Sequence, residues 1–220
     1  MMNQEMTRLV KKYPELSACL ADIEEAFFIL KECFDHGGKL LLCGNGGSAS
    51  DCEHIVGELM KGFLLKRPID KDFQERLFEV APSDAEYLIN HLQGALPAIS
   101  LISHSALMTA FSNDVDPSLV FAQQVVGYGK KGDVLFGIST SGNSKNVLQA
   151  LKVAKAKGMC TIGLTGRSGG EIKDVCDVTI KVPWNDTPSI QERHLPIYHS
   201  LCIMLEEEFF GNAEKYISRT

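Results

Sequence analysis

Apolar residues recur three or four apart across residues 3–36. Leu16, Leu20, Ile23, Phe27, Leu30 and Phe34 share one face with charges between them, which predicts a helical N-terminal segment. Pro14 predicts the end or bend of a first short helix, and His36-Gly37-Gly38 the stop of a second. The pattern then changes. Lys39–Cys43 is a short apolar run, read as a buried strand, and Ser48–Leu65 returns to helical spacing through Cys52, Ile55, Leu59 and Phe63.

From 66 to 95 the chain turns charged. Lys66-Arg67-Pro68 opens this stretch, and Asp72–Val80 and Ser83–Leu92 carry helical spacing around Ala81-Pro82. With too few apolar positions to stand alone, it reads as a helical excursion attached to the core. Pro97–Leu101 predicts a strand, 104–112 a helix, Asn113–Pro117 a loop and 118–129 a helix. Strands at Asp133–Ile138, Cys160–Leu164 and Val178–Val182 then alternate with helices at 144–157 and 190–210, with a loop at Thr165–Gly170. This alternation predicts an α/β fold, a three-layer α/β/α sandwich around a central parallel sheet, as one domain over 1–220. In such a fold ligands sit at the carboxyl ends of the strands.

Composition narrows the function class. With 45% hydrophobic and 23% charged residues the chain reads as an ordinary globular protein. A net charge of −6 gives no electrostatic case for nucleic acid or an anionic membrane as partner. No apolar run approaches the roughly 20 residues of a membrane span. The start, Met-Met-Asn-Gln-Glu-Met-Thr, lacks the basic and apolar regions of a signal peptide. Seven scattered cysteines without a Cys-x-x-Cys spacing suit reduced thiols, so a cytoplasmic location is expected.

Two loops carry the chemistry of an anion site. Cys43-Gly44-Asn45-Gly46-Gly47-Ser48 follows one predicted strand, and Ser139-Thr140-Ser141-Gly142-Asn143-Ser144 follows another. Hydroxyls and free backbone N–H groups at strand-to-helix turns bind phosphate without a cationic side chain, which points to a phosphorylated small molecule. Neither loop fits the Walker pattern, and the first lacks the third glycine of the dinucleotide fingerprint.

His54 and Glu58 lie four apart on the helix that follows the first loop. That spacing serves equally a surface ion pair and a two-ligand platform for a divalent metal. Downstream, Gln191-Glu192-Arg193-His194 leads to Tyr198-His199, where His199 reads from spacing alone as a core residue and His194 has no assigned role. On one straight helix Gln191 and His199 stand ~12 Å apart along the axis, too far to share one ion comfortably. Either the helix starts after Gln191, with Pro196 as late start or kink, or different subunits supply the two residues.

Taken in order, Gly-Asn-Gly-Gly-Ser, His54-x-x-x-Glu58, Asn113-Asp114, the 132–144 segment Gly-Asp-Val-Leu-Phe-Gly-Ile-Ser-Thr-Ser-Gly-Asn-Ser, Leu-Thr-Gly and Ile-Gln-Glu-x-His…His199 resemble the sugar isomerase (SIS) fold. Within it they are similar to the bacterial phosphoheptose isomerases, which act on sedoheptulose 7-phosphate. The resemblance covers residues 1–65 and 96–215. It implies a homotetramer, with the N-terminal helices packing in the oligomer and active sites between subunits. It implies a metal, usually zinc, on His54, Glu58, Gln191 and His199, with Glu58 as catalytic base and His199 as acid. Ser48, Ser139, Thr140, Ser141 and Ser144 would hold the phosphate, beside Gly46 and Gly47. Asn45, Asn113 and Asp114 would lie along the sugar, with Thr187 near its reacting end. Two departures stand out: an excursion of ~30 residues where the family runs directly into the next strand, and Pro188 where some relatives carry an acidic residue. Alternative readings are a non-catalytic SIS protein, such as a sugar-phosphate sensor or the replication-initiator-associating protein, and an isomerase of another sugar phosphate. The complete pair Glu58 and His199 favours an enzyme.

Overall fold

The chain's apolar runs become the centre of a parallel sheet. In the computed structural model, which describes residues 4–211, Leu40–Gly44 (β1) and Val134–Ser139 (β3) are buried at every position. Residues 1–3 of the N-terminal segment and 212–220 lie outside the described residues. Ala98–Ser100 (β2), Cys160–Thr165 (β4) and Val178–Lys181 (β5) complete a five-stranded sheet in the order β2-β1-β3-β4-β5, with every pairing parallel. The α/β class expected from the alternation is the class observed.

Side-chain alternation divides the core between the two faces. Leu40, Leu42, Phe136 and Ile138 face a cluster built with the helices Gln4–Lys12 (α1), Leu20–Asp35 (α2), Gly47–Met60 (α3) and Thr187–Phe210 (α9). Leu41, Cys43 and Leu135 face the other cluster, completed by Val120–Tyr128 (α7) and Lys145–Ala156 (α8). The excursion folds into two helices, Lys71–Val80 (α4) and Ala85–His91 (α5); after β2 comes Ser105–Asp114 (α6). Among the described residues no helix is long and apolar enough to cross a membrane.

Three expectations need correction. The helix expected over 48–65 stops at Met60: Lys61 is extended, and the N–H groups of Phe63, Leu64 and Leu65 bond the Glu206 carboxylate instead of continuing the helix. Asn113 and Asp114 belong to the last turn of α6 rather than to a loop. The final helix starts at Thr187, capped by Asp186, whose carboxylate accepts from Ser189 N (3.1 Å), and it runs through Pro196 without ending. A start after Gln191 is thereby removed.

His194, on α9, is fully buried, and neither ring nitrogen has a hydrogen-bond partner. Burial pushes its pKa down from 6.5 to about 4, with the Thr165 backbone a lesser, opposing influence. The folded protein therefore prefers the neutral ring. Its stabilisation is complete above pH 6.5 and is lost as pH falls from 6.5 toward 4. Urea unfolding at pH 7.5 and 4.5 should show a smaller acid-induced drop in midpoint for His194→Leu than for the native protein; equal drops would show that His194 does not titrate with unfolding.

Candidate active site

From β1 the chain continues into β2 on one side of it, while β3 lies on the other side. This reversal of order opens a crevice at the carboxyl ends of β1 and β3, where open α/β sheets bind ligands. The two hydroxyl-bearing loops border it, one leading into α3 and one into α8. They are joined by a reciprocal amide pair: Asn45 Nδ2 donates to Asn146 Oδ1 and Asn146 Nδ2 to Asn45 Oδ1, both at 2.9 Å. Asn146 was not among the expected site residues; nothing local marks it, because its partner lies on the other loop.

The serine loop gathers its hydroxyls. Ser139 Oγ is 2.9 Å from Ser144 Oγ and 3.5 Å from Ser141 Oγ, and Asn143 N donates to Ser141 Oγ (3.1 Å). Ser144 occupies the N-cap of α8 but makes no side-chain cap bond, so its hydroxyl and the helix's N-terminal dipole are turned to the loop. Thr140 contributes its carbonyl to Gly166 N (3.0 Å). Gly142 has φ +67°, and a Cβ there would collide with the Gly169 carbonyl, so only glycine lets the β3 and β4 loops meet this closely. Ser48 is buried in the first turn of α3, behind Gly46. At Gly47 a Cβ would strike Gln191 Nε2, which places the Gln191 amide beside the first loop.

A second constellation forms farther along α3. His54 Nε2 stands 3.2 Å from Glu58 Oε1 and 3.5 Å from His199 Nε2. Tyr198 donates its hydroxyl to Asp51 Oδ1 (3.3 Å), and its oxygen lies 2.9 Å from His54 Nδ1. Glu58 Oε2 is buried with no hydrogen-bond partner, and Lys61 Nζ lies 3.7 Å from it. A buried carboxylate oxygen without a partner, beside two imidazoles, suits a bound cation. Among the described residues no three His, Cys, Asp or Glu side chains already form an open metal shell. Burial raises the Asp51 pKa to about 6 against the opposing influences of Tyr198 and His54, and it raises Tyr198. His199 is lowered by burial and by His54, with Glu58 opposing. Asp51 and Tyr198 were also missed in the sequence, because their pairing crosses from α3 to α9.

The expected residues thus divide into two groups. Asn45, Gly46, Gly47, Ser48, Ser139, Ser141, Ser144 and Gln191 gather around the loops, with His54, Glu58 and His199 in the second cluster. Thr187 is exposed in the first turn of α9. Asn113 and Asp114 are exposed and hydrogen-bond each other (2.9 Å) rather than any of these.

Comparison with known proteins identifies the family. The SIS domain family matches residues 3–81 and 84–166, which makes the chain a SIS-domain protein. The phosphoheptose isomerase of Trichlorobacter lovleyi is 40% identical over 201 residues, 91% of this chain and 88% of that protein. That of Nitratiruptor sp. is 44% identical over 187 residues, 85% of this chain and 86% of that protein. The solved phosphoheptose isomerase GmhA from Neisseria gonorrhoeae superposes with TM-score 0.71 at 32% identity, covering 92% of this chain and 94% of its own. The Francisella tularensis enzyme superposes with TM-score 0.73 at 31% identity, covering 89% and 91%. The chain belongs to the phosphoheptose isomerase family of SIS-domain proteins.

Gly142→Ala forces a left-handed residue and a backbone collision at the loop that holds the serines. We expect a loss of ~2–4 kcal/mol in urea unfolding, together with a raised KM for a phosphosugar; an unchanged midpoint would remove the constraint assigned to Gly142.

Proposed function

We propose that the protein interconverts sedoheptulose 7-phosphate and D-glycero-D-manno-heptose 7-phosphate through an enediol. The observation that carries the reading is the meeting of the Glu58 carboxylate and the His199 imidazole at His54, in a chain whose other hydroxyl cluster suits a phosphate. Starting from the ketose, Glu58 takes a proton from C1 while His199 donates one to the C2 oxygen, giving the enediol. Glu58 then returns its proton to C2, the C1 hydroxyl gives its proton to His199, and the aldehyde forms at C1. Glu58 Oε2 is buried with no hydrogen-bond partner, which leaves this oxygen free to meet a substrate proton. Ser139, Ser141, Ser144 and Ser48 grip the phosphate, supplying orientation at a distance from the reacting carbons.

A divalent metal, zinc by its donor set, fits the acceptor-rich cluster, held by His54, Glu58, His199 and a Gln191. Bound there, it would polarise the carbonyl oxygen and stabilise the developing enediolate charge. Gln191 lies beside Gly47 at the start of α3, while His199 meets His54 farther along that helix. The reading includes a homo-oligomer, a tetramer on the family's pattern, in which Gln191 and the loops of one protomer face His54, Glu58 and His199 of another. His199 also lines a 330 Å³ cavity between α1 and α9, with Arg8, Lys12 and Tyr13, so it is accessible from outside its own chain. The protein works in the cytoplasm, where its thiols stay reduced and sugar phosphates are made.

Incubation with sedoheptulose 7-phosphate in deuterated water should place deuterium at C2 of the product. Glu58→Gln should abolish that exchange while ligand-induced thermal stabilisation persists; a folded native protein with no exchange would sink the isomerase reading. Elemental analysis of native protein should find about one divalent ion per protomer. Co-expressed Gln191→Ala and His199→Ala chains, each inactive alone, should regain part of the activity in mixed oligomers. No recovery would exclude sites shared in this way.

A further inference from the structure

The excursion between α3 and β2 is fastened at its base far more firmly than along its body. Arg67 is 1% exposed and Glu206 1% exposed. The guanidinium uses three separate partners: Nε donates to Glu206 Oε1 (2.7 Å), Nη1 to the Leu59 carbonyl (2.7 Å) and Nη2 to the Glu58 carbonyl (2.9 Å). Its flat face covers the Phe210 ring at 4.9 Å. The last carbonyls of a helix lack intrahelical partners and attract a cation, so Arg67 caps α3 from outside. Glu206 in turn accepts from the N–H groups of Phe63 (2.7 Å), Leu64 (2.7 Å) and Leu65 (3.1 Å). Residues 61–67 thereby form a strap pinned between α3 and α9.

This strap touches both groups of the proposed acid/base pair. Lys61 Nζ lies 3.7 Å from Glu58 Oε2, the Phe63 ring centroid lies 5.4 Å from that of His199, and Arg67 holds the Glu58 backbone carbonyl. The returning chain closes the base, with Gly94 N donating to the Arg67 carbonyl (2.6 Å) and Gln93 Oε1 accepting from Gly62 N (2.6 Å). Resting on the isomerase reading above, we infer that Arg67 and Glu206 are positioning residues: they pin the 61–67 strap so that Glu58 and His199 keep their reacting geometry.

Stability alone does not call for this arrangement. Apolar side chains of similar volume often replace a buried ion pair with no loss of stability. What the pair adds is direction, since a planar fork of donors fixes three partners at once and a lysine ammonium does not. Base and acid must stand within a fraction of an ångström of their places, and a misplacement of ~1 Å costs about 10²-fold in rate. The phosphate loops lie elsewhere, so the clamp bears on turnover and not on substrate capture.

The test is steady-state isomerisation of sedoheptulose 7-phosphate by the native protein, Arg67→Lys and Glu206→Gln, with folding followed by thermal melting. Expected is a kcat at least about tenfold lower in both variants, with KM within about twofold of native and most of the protein folded. Glu206→Gln keeps size and one acceptor oxygen, so it carries the test if Arg67→Lys fails to fold. Folded variants with native kcat would overturn the inference. So would an apparent kcat that falls only in proportion to the folded fraction, which marks a purely structural pair. An inactive native protein would instead sink the isomerase reading, and this role with it.

Discussion

The reversal of strand order between β1 and β3 is the constraint on which the rest depends. Two crossovers that leave neighbouring parallel strands in opposite directions cannot both cover the gap above them, so the turns into α3 and α8 stand apart and face a common opening. Polar turns are tolerated there because they reach solvent or ligand. The Asn45–Asn146 amide pair sets their spacing, and the contact of Gly142 with the β4 loop braces the serine turn from below. Remove the reversal and neither the hydroxyl cluster nor the dipoles of α3 and α8 share a target.

The second cluster is organised by packing between α3 and α9. The sheet fixes α3, and α9 lies across it with Ile197, Tyr198, Leu201 and Cys202 in the same buried cluster as Ile55 and Leu59. That apolar contact brings Tyr198 to Asp51 and His54. A hydrophobic interface thus decides which polar groups meet, linking core packing to the chemistry of the site.

The sheet and its loops were legible in the sequence because they rest on local signals. Apolar runs of five or six residues marked the strands, and glycine and serine marked the turns. The extension of α3 to Leu65 failed because Phe63 keeps helical spacing, whereas Glu206, far along the chain, takes the backbone donors of residues 63–65. Pro196 suggested a break, yet a proline removes only one intrahelical bond and the packing of α9 outweighs it. The loops and the His54/Glu58 pair followed from spacing. Asp51, Tyr198, Asn146 and Arg67 did not, since each acquires its role only through a partner on another element. His199, which spacing alone made a core residue, is half-buried at the edge of the same contact.

The base of the excursion has a consequence for how this enzyme family changes. With Gly62 bonded to Gln93 and Arg67 to Gly94, the two strands of chain entering and leaving α4 and α5 lie side by side, so the helical pair is a detachable cassette. Its termini match those of any segment that begins and ends at adjacent points. A change in the length of the chain between these anchor points therefore leaves the register of the sheet untouched.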